Sequence, residues 1–224
     1  MPPNPNGLPL VLYCNHASWW DALVCLLVKD HFFPERRGFA PIDAAMLRKY
    51  KFFQRLGFFG VDQYSRRGPS QFLHKAEAVL RQANSLLVIT PQGRFADPRE
   101  RPPQFAPGLG HLAARVPGAM FVPLAIEYVF WEERLPEILI RFGRPLEIHS
   151  DHQSPAAAKF WTRLFEKILA ETQNLLAVEA QRRDPTDFRV VLRGGAGQGG
   201  IYDCWRSIKA TLRGEKFRRE HGDK

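Results

Sequence analysis

The chain has 224 residues, of which 45% are hydrophobic and 25% charged, the balance of an ordinary globular protein with a substantial buried core. The net charge of +9 favours anionic partners such as membrane phosphates, nucleotides or nucleic acid, although a basic surface can also serve solubility alone. No run of about 18 apolar residues occurs, which excludes a membrane-spanning helix, and residues 1–7 lack the basic-then-apolar pattern of a signal peptide.

Strand and helix patterns alternate along the first 150 residues. Alternation of this kind predicts a single α/β domain with a mixed, largely parallel sheet flanked by helices. A loop at 93–107 contains four prolines, and Ser154 and Pro155 begin the clearest helix, which extends to about Arg182. The other predicted elements, in chain order, are a strand at 8–14, a helix at 18–29, a strand at 38–42, a helix at 46–56, a strand at 58–61, a helix at 70–84 capped by Ser70, a strand at 85–90, a helix at 108–116, and strands at 120–126 and 138–142.

The composition changes after residue 182. Residues 193–200 are glycine-rich, as in a flexible linker, and residues 182–224 carry 11 basic against six acidic residues. We therefore expect a main domain at 1–182 and a glycine-rich basic extension at 183–224, which packs on the body or lies on an anionic membrane. The three cysteines, Cys14, Cys25 and Cys204, lack the spacing of a metal site. They are typical of reduced thiols in the cytoplasm, and we expect Cys14 to be a small apolar residue of a buried strand.

An imidazole and a carboxylate, His16 and Asp21, lie five positions apart between the first predicted strand and helix. If His16 precedes the helix and Asp21 lies in its first turn, the carboxylate can bond one ring nitrogen and leave the other free as a base. Such a base can take the proton of a hydroxyl that attacks a carbonyl. Ser18 and Asp21 also have the spacing of a helix capping box, which would make His16 an ordinary residue at a strand end. Both interpretations are compatible, because Asp21 can cap the helix and orient the imidazole together.

Four segments follow one another in the order of a known family. They are Asn15-His16 with Asp21 (a His-x4-Asp motif), residues 59–68 (FGVDQYSRRG), residues 88–95 (VITPQGRF) and residues 121–126 (FVPLAI). Over about residues 8–150 the chain resembles the bacterial glycerolipid acyltransferases, that is, the lysophosphatidic acid (1-acyl-glycerol-3-phosphate) acyltransferases and their lysophospholipid acyltransferase relatives. The resemblance implies the glycerolipid acyltransferase-like α/β fold and acyl transfer in lipid and phospholipid metabolism.

The resemblance also implies roles for individual residues. His16 would be the general base and Asp21 its orienting partner in moving a fatty acyl group from acyl-CoA or acyl-carrier protein to a hydroxyl of a lipid acceptor. Backbone N–H groups near 91–93, or Arg94, would stabilise the oxyanion. No metal or cofactor is expected beyond the acyl donor. The expected substrate-binding residues are Asn15, Ser18, Asp62, Arg66, Arg67, Gln92, Gly93 and Arg94.

Two segments depart from the family pattern. Gln92 stands where the third segment has an acid, and Arg94 falls one position before the usual arginine. In the second segment Gln63 replaces an arginine, while Arg66 and Arg67 come later. Because arginine recognises phosphate with strict geometry, these shifts favour another hydroxylated acceptor, such as a glycosylated lipid, over lysophosphatidic acid. A lysophospholipid remains the other acceptor class that we expect.

The expected partners are an acyl thioester donor, a lipid acceptor and an anionic membrane surface, with the protein cytoplasmic and peripheral to the inner face of the cell membrane. A catalytically inactive lipid- or membrane-binding relative of the same fold is the alternative. Gln92 favours this alternative, whereas the intact His16 and Asp21 oppose it. Nucleic acid is not an expected partner, because only the net charge and one Arg-Gly-Gly at 193–195 suggest it, and no aromatic-basic recognition motif accompanies them.

Overall fold

The computed structural model describes residues 7–131, 135–149 and 155–194. Strands and helices alternate along these ranges, as predicted. The strands are β1 (Leu10–Cys14), β2 (Arg37–Asp43), β3 (Phe58–Val61), β4 (Ser85–Ile89), β5 (Met120–Val129), β6 (Glu137–Phe142) and β7 (Leu146–Glu147). The helices are α1 (Asp21–Phe32), α2 (Ala44–Lys49), α3 (Phe52–Arg55), α4 (Gly68–Leu80), α5 (Gly108–Ala113) and α6 (Pro155–Arg182), followed by a 3₁₀ turn at Pro185–Asp187.

The described strands form one seven-stranded sheet in the order β3-β2-β4-β1-β5-β6, and β7 pairs with β5. Neighbouring strands from β3 to β5 run parallel, whereas β7 is antiparallel to β5. The prediction of an α/β fold with a mixed, largely parallel sheet flanked by helices is confirmed.

Parallel pairing brings the loops after several strands to one edge of the sheet. Tyr13 of β1 lies opposite Ile89 of β4, and Cys14 of β1 lies opposite Leu124 of β5. The segments that follow β1 and β4 therefore emerge side by side. Open α/β sheets bind ligands outside the carboxyl ends of their strands, so this edge is where a site is expected.

The central strand β1 is buried on both faces, which explains its continuous apolar sequence. Val11 and Tyr13 belong to a core cluster that also includes buried residues of α4, α5 and α6, among them Phe165. Cys14 lies with Cys25 of α1, the two sulfur atoms being 3.8 Å apart. This layered packing holds the end of β1, and thus the loop that follows it, in a fixed position.

Several predicted boundaries are wrong for local reasons. Helix α1 starts at Asp21, so Ser18 is not its N-cap. The helix predicted at 46–56 is two short helices, α2 and α3, because Tyr50 leaves the helical backbone region. Helix α4 starts at Gly68 with Arg67 as its N-cap residue, so Ser70 is not a cap, and it ends at Leu80. The two-residue strand β7 was not predicted from the sequence.

The chain divides into two compact units, one within residues 1–126 and 140–176 and the other within 127–139 and 177–224. In the second unit the rings of Trp131 and Phe188 are in contact, with centroids 5.9 Å apart. The domain boundary at 182 stays a prediction. Ser154, Cys204 and the basic segment beyond 194 lie outside the described residues. Among the helices that the structure describes, none is both long enough and apolar enough to cross a bilayer.

Candidate active site

The imidazole of His16 and the carboxylate of Asp21 are in direct contact. His16 Nδ1 lies 2.8 Å from Asp21 Oδ2, and the same oxygen accepts a hydrogen bond from the backbone N–H of Ser18 at 2.9 Å. The Asp21 side chain is 1% exposed, whereas that of His16 is 23% exposed. A buried acceptor on Nδ1 selects the tautomer with hydrogen on Nδ1 and leaves Nε2 with a lone pair. An imidazole held in this way can act as a base at the carboxyl edge of the sheet.

This contact exists because the first helix starts where it does. Asp21 is the first residue of α1 and His16 precedes the helix, the condition that the catalytic interpretation requires. The capping-box prediction is only half correct. The carboxylate of Asp21 accepts from the Ser18 N–H as in a capping box, but the Ser18 hydroxyl accepts from the Trp20 N–H at 3.3 Å and leaves the helix without a side-chain cap.

Asn15 anchors the start of this loop on strand β5. Its side-chain Nδ2 donates to the Ile126 carbonyl at 2.9 Å, and its Oδ1 accepts from the Ile126 N–H at 2.9 Å. The amide thus continues the β1–β5 hydrogen bonding beyond the end of β1. Asn15 is 2% exposed, and both functional atoms of its side chain are engaged. Substrate binding by Asn15 stays a prediction, and its observed contacts position the neighbouring His16.

The loop after β4 holds the backbone of His16 from the other side. Gln92 Oε1 accepts from the His16 N–H at 2.8 Å, and the Ala96 N–H donates to the His16 carbonyl at 2.8 Å. The ring of Phe95 lies 4.4 Å from the imidazole, centroid to centroid. The structure therefore joins the first and third motif segments around His16. Phe95 and Ala96 were missed by the sequence analysis, since no local pattern marks contacts across about 80 residues.

The predicted oxyanion donors differ in whether they already have hydrogen-bond partners within the protein. Gly93 has a positive φ of +64°, and its N–H donates to the Thr90 carbonyl at 3.1 Å. The Arg94 guanidinium binds both carboxylate oxygens of Glu100, at 2.7 and 2.9 Å. By contrast, neither the backbone N–H nor the side-chain Nε2 of Gln92 hydrogen-bonds to any other described residue. Gln92 is therefore the best placed of these candidates to donate to a substrate.

The second motif segment forms an exposed turn at the end of β3. Asp62 Oδ1 accepts from the Tyr64 N–H at 3.3 Å, and a Cβ on Gly68 would lie only 2.0 Å from the Asp62 carbonyl oxygen, so the turn requires glycine there. Arg66 and Arg67 are exposed, and no residue within the described ranges forms an ion pair with either. In the described part of the chain, no hydrogen bond or ring contact joins these residues to His16. The structure thus groups the predicted site residues into a His16 cluster and a separate Asp62 turn.

A cavity of about 380 Å³ opens beside this turn. Arg48 and Lys75 contribute two cations to its lining, and Asp62 one carboxylate. Lys75 Nζ also donates to the Gly60 carbonyl at 2.8 Å. Neither cation was predicted as a site residue, because no sequence motif contains them. The complete lining is Ala44, Leu47, Arg48, Gln54, Gly60, Asp62, Gln71 and Lys75.

Cys14, two residues before His16, is buried and free. Its contact with the Cys25 thiol, together with burial, raises the pKa of Cys14 well above its ordinary value. A thiol that stays protonated is a poor nucleophile. The buried position of Cys14 is consistent with the expectation that it is a small packing residue of a strand.

The comparison with known families gives the class of protein to which this α/β fold and its His–Asp pair belong. A sequence model described as Acyltransferase matches residues 3–127, which is more than half of the chain. The chain therefore belongs to the Acyltransferase family of glycerolipid and lysophospholipid acyltransferases. Membership supports acyl transfer in lipid metabolism as its general activity, with an acyl donor and a lipid acceptor as general substrates. No curated protein matches the chain significantly.

Proposed function

We propose that the protein is an O-acyltransferase that moves a fatty acyl group from acyl-CoA or acyl-carrier protein to a hydroxyl of a lipid acceptor. The observation that carries this proposal is the 2.8 Å contact between His16 Nδ1 and the buried Asp21 carboxylate, at the edge where parallel strands end. A charged partner with no exposure to water keeps the imidazole in one tautomer and one orientation. Nε2 is then the atom that meets the acceptor.

The reaction follows from this geometry. Nε2 of His16 takes the proton of the acceptor hydroxyl as its oxygen attacks the thioester carbonyl, and a tetrahedral oxyanion forms. Asp21 stabilises the resulting imidazolium. Collapse of the intermediate breaks the carbon–sulfur bond, and the leaving thiolate receives the proton from the imidazolium. A base positioned in this way contributes ~10²–10⁴-fold to the rate.

Gln92 is proposed to stabilise the oxyanion. Its Oε1 is held by the His16 N–H, so the rest of the amide is fixed close to the base. Its Nε2 and its backbone N–H are donors without a partner among the described residues. An amide can donate to a developing oxyanion, whereas a carboxylate at the same position cannot. Gln92 therefore suits this role despite its departure from the family pattern.

The cavity beside Asp62 supports a polar acceptor headgroup. Gln54 and Gln71 supply amides, Asp62 a carboxylate, and Arg48 and Lys75 cations. Mixed amide and carboxylate groups suit sugar hydroxyls, which both donate and accept. The two cations also fit a phosphate. We propose a glycosylated lipid as the preferred acceptor, with a lysophospholipid as the competing substrate, and a peripheral location at the inner face of the cell membrane.

The test measures thiol release from acyl-CoA and from acyl-carrier protein by the full chain, with acylated lipid identified by mass spectrometry. His16→Ala should lower the rate at least about 100-fold, and Asp21→Asn should lower it by a comparable factor because the tautomer is no longer fixed. His31→Ala, which removes an exposed imidazole from α1, is the matched control. Transfer that survives His16→Ala would refute the catalytic role. Clear preference for lysophosphatidic acid over glycosylated lipids would refute the acceptor assignment.

A second candidate function is a catalytically inactive relative that binds lipid. The amide at Gln92 favours it, because the family pattern has a charged side chain there. Absence of thioester turnover with every donor, combined with retained lipid binding, would support this candidate over the enzyme.

A further inference from the structure

Residues 44–57, which we call the α2–α3 segment, expose an unusual amount of apolar side chain. The segment joins the end of β2 to the start of β3. Scattered apolar residues are normal on a protein surface, whereas exposed apolar side chains that are grouped together can form an interaction site. The exposed members are Met46, Tyr50, Phe52 and Leu56.

The aromatic side chains of this segment are held in place. The Phe52 ring stacks on Phe53 at 4.2 Å between centroids, and Phe53 packs edge-on against Phe58 of β3 at 5.0 Å. Phe52 nonetheless remains 55% exposed. Phe53 and Phe58 therefore hold the Phe52 ring in place without covering its outer face.

All charged residues of the α2–α3 segment are basic. No acidic residue occurs between residues 44 and 61. Every cation of the segment is exposed, and none forms an ion pair with another residue in the described ranges. Those cations are Arg48, Lys49, Lys51 and Arg55.

We propose that the α2–α3 segment docks the protein on an anionic bilayer. Apolar rings enter the boundary between headgroups and acyl chains, while the cations meet lipid phosphates, which is the pattern of an interfacial element. The inference deepens the proposed function, since a lipid acceptor is reached from the membrane. The segment also supplies Arg48 and Gln54 to the cavity beside Asp62, so docking places that cavity at the lipid surface.

Helix α1 and the two residues before it expose another group of apolar side chains, Trp19, Trp20, Leu23 and Leu27. The only lysine of α1, Lys29, is paired with Asp30 at 3.0 Å. Charge complementarity with anionic lipid is therefore a property of the α2–α3 segment and not of this group. Nucleic acid would use the cations but would leave Met46 and Leu56 without a role.

The experiment is co-sedimentation of the full chain with vesicles of phosphatidylcholine, alone or mixed with phosphatidylglycerol. Lys49→Gln with Lys51→Gln should weaken binding to mixed vesicles on the order of 25-fold, about fivefold per lost cation. Phe52→Ser should weaken it about tenfold or more. The matched controls lie on α6: Lys159→Gln for charge, and Phe160→Ser for an aromatic ring that is 58% exposed. Both should bind like the parent chain.

Equal weakening by the control variants would overturn the proposal, as would loss of binding on Trp19→Ser with Trp20→Ser while the α2–α3 variants bind normally. Displacement of the vesicles by an oligonucleotide, without any effect of Phe52→Ser, would assign the segment to nucleic acid instead. Acyl transfer to a detergent-solubilised acceptor is measured in parallel. Segment-dependent binding without transfer refutes the catalytic proposal alone, and transfer without segment-dependent binding refutes docking alone.

Discussion

Asn15→Ala tests how the loop that carries His16 is held. The Asn15 side chain makes two hydrogen bonds of 2.9 Å to the N–H and carbonyl of Ile126, and both residues are buried. Alanine leaves the two backbone groups of Ile126 without partners in a site closed to water. An unsatisfied buried polar group costs about 1–3 kcal/mol, so the two together predict a loss of about 2–6 kcal/mol in the free energy of unfolding. That is a large fraction of the ~5–15 kcal/mol typical of a domain.

Urea unfolding followed by circular dichroism measures the change in unfolding free energy. The control is Asn174→Ala on α6, where an exposed amide accepts one hydrogen bond from Arg101 at 2.9 Å; we expect a change within about 0.5 kcal/mol there. A loss below about 1 kcal/mol for Asn15→Ala would show that the amide does not extend the β1–β5 ladder as described. The conclusion that Asn15 positions His16 would then also be wrong.

Three further outcomes follow from buried and strained positions. Gly57→Ala should destabilise the fold far more than Gly118→Ala. Both glycines have a positive φ, which costs about 1–2 kcal/mol for a residue with a Cβ, but only at Gly57 would that Cβ also lie 2.1 Å from the Gly38 carbonyl oxygen. An equal decrease in melting temperature for the two variants would contradict this prediction. Tyr13→Phe should raise the unfolding free energy by about 1 kcal/mol, because the buried Tyr13 hydroxyl has no hydrogen-bond partner among the described residues, and a less stable variant in urea unfolding would count against it. Because the Cys14 pKa is raised in the folded state, the stability that this thiol contributes is full below about pH 8.5, the unfolded value, and is lost as the pH rises further. The free energy of unfolding in urea should therefore fall as the pH rises above about 8.5, and Cys14→Ala should reduce that slope.

The sequence predicted the fold well because its signals are local. β3 was predicted with the observed bounds, and the apolar stripe of α6 gave its extent to Arg182. The condition for contact between His16 and Asp21, a helix that starts between them, concerns only five residues and is met. Periodicity, a proline at a helix start and motif order were sufficient for these elements.

The rest depends on contacts between distant parts of the chain. Gln92 reaches His16 across 76 residues, and Asn15 reaches Ile126 across 111. No spacing rule indicates that a side-chain amide will complete a β-ladder or that Phe95 will lie on the imidazole. The break at Tyr50 was also missed, because the helix periodicity of the sequence continues through the position where the backbone leaves the helical region.

The hydrogen bond from the His16 N–H to Gln92 uses only a side-chain carbonyl oxygen, which glutamate would supply equally well. Position 92 can thus alternate between neutral and negative without disturbing the turn that carries the imidazole. A single replacement at position 92 can therefore change the charge near the imidazole while the backbone contact that holds residue 16 is kept.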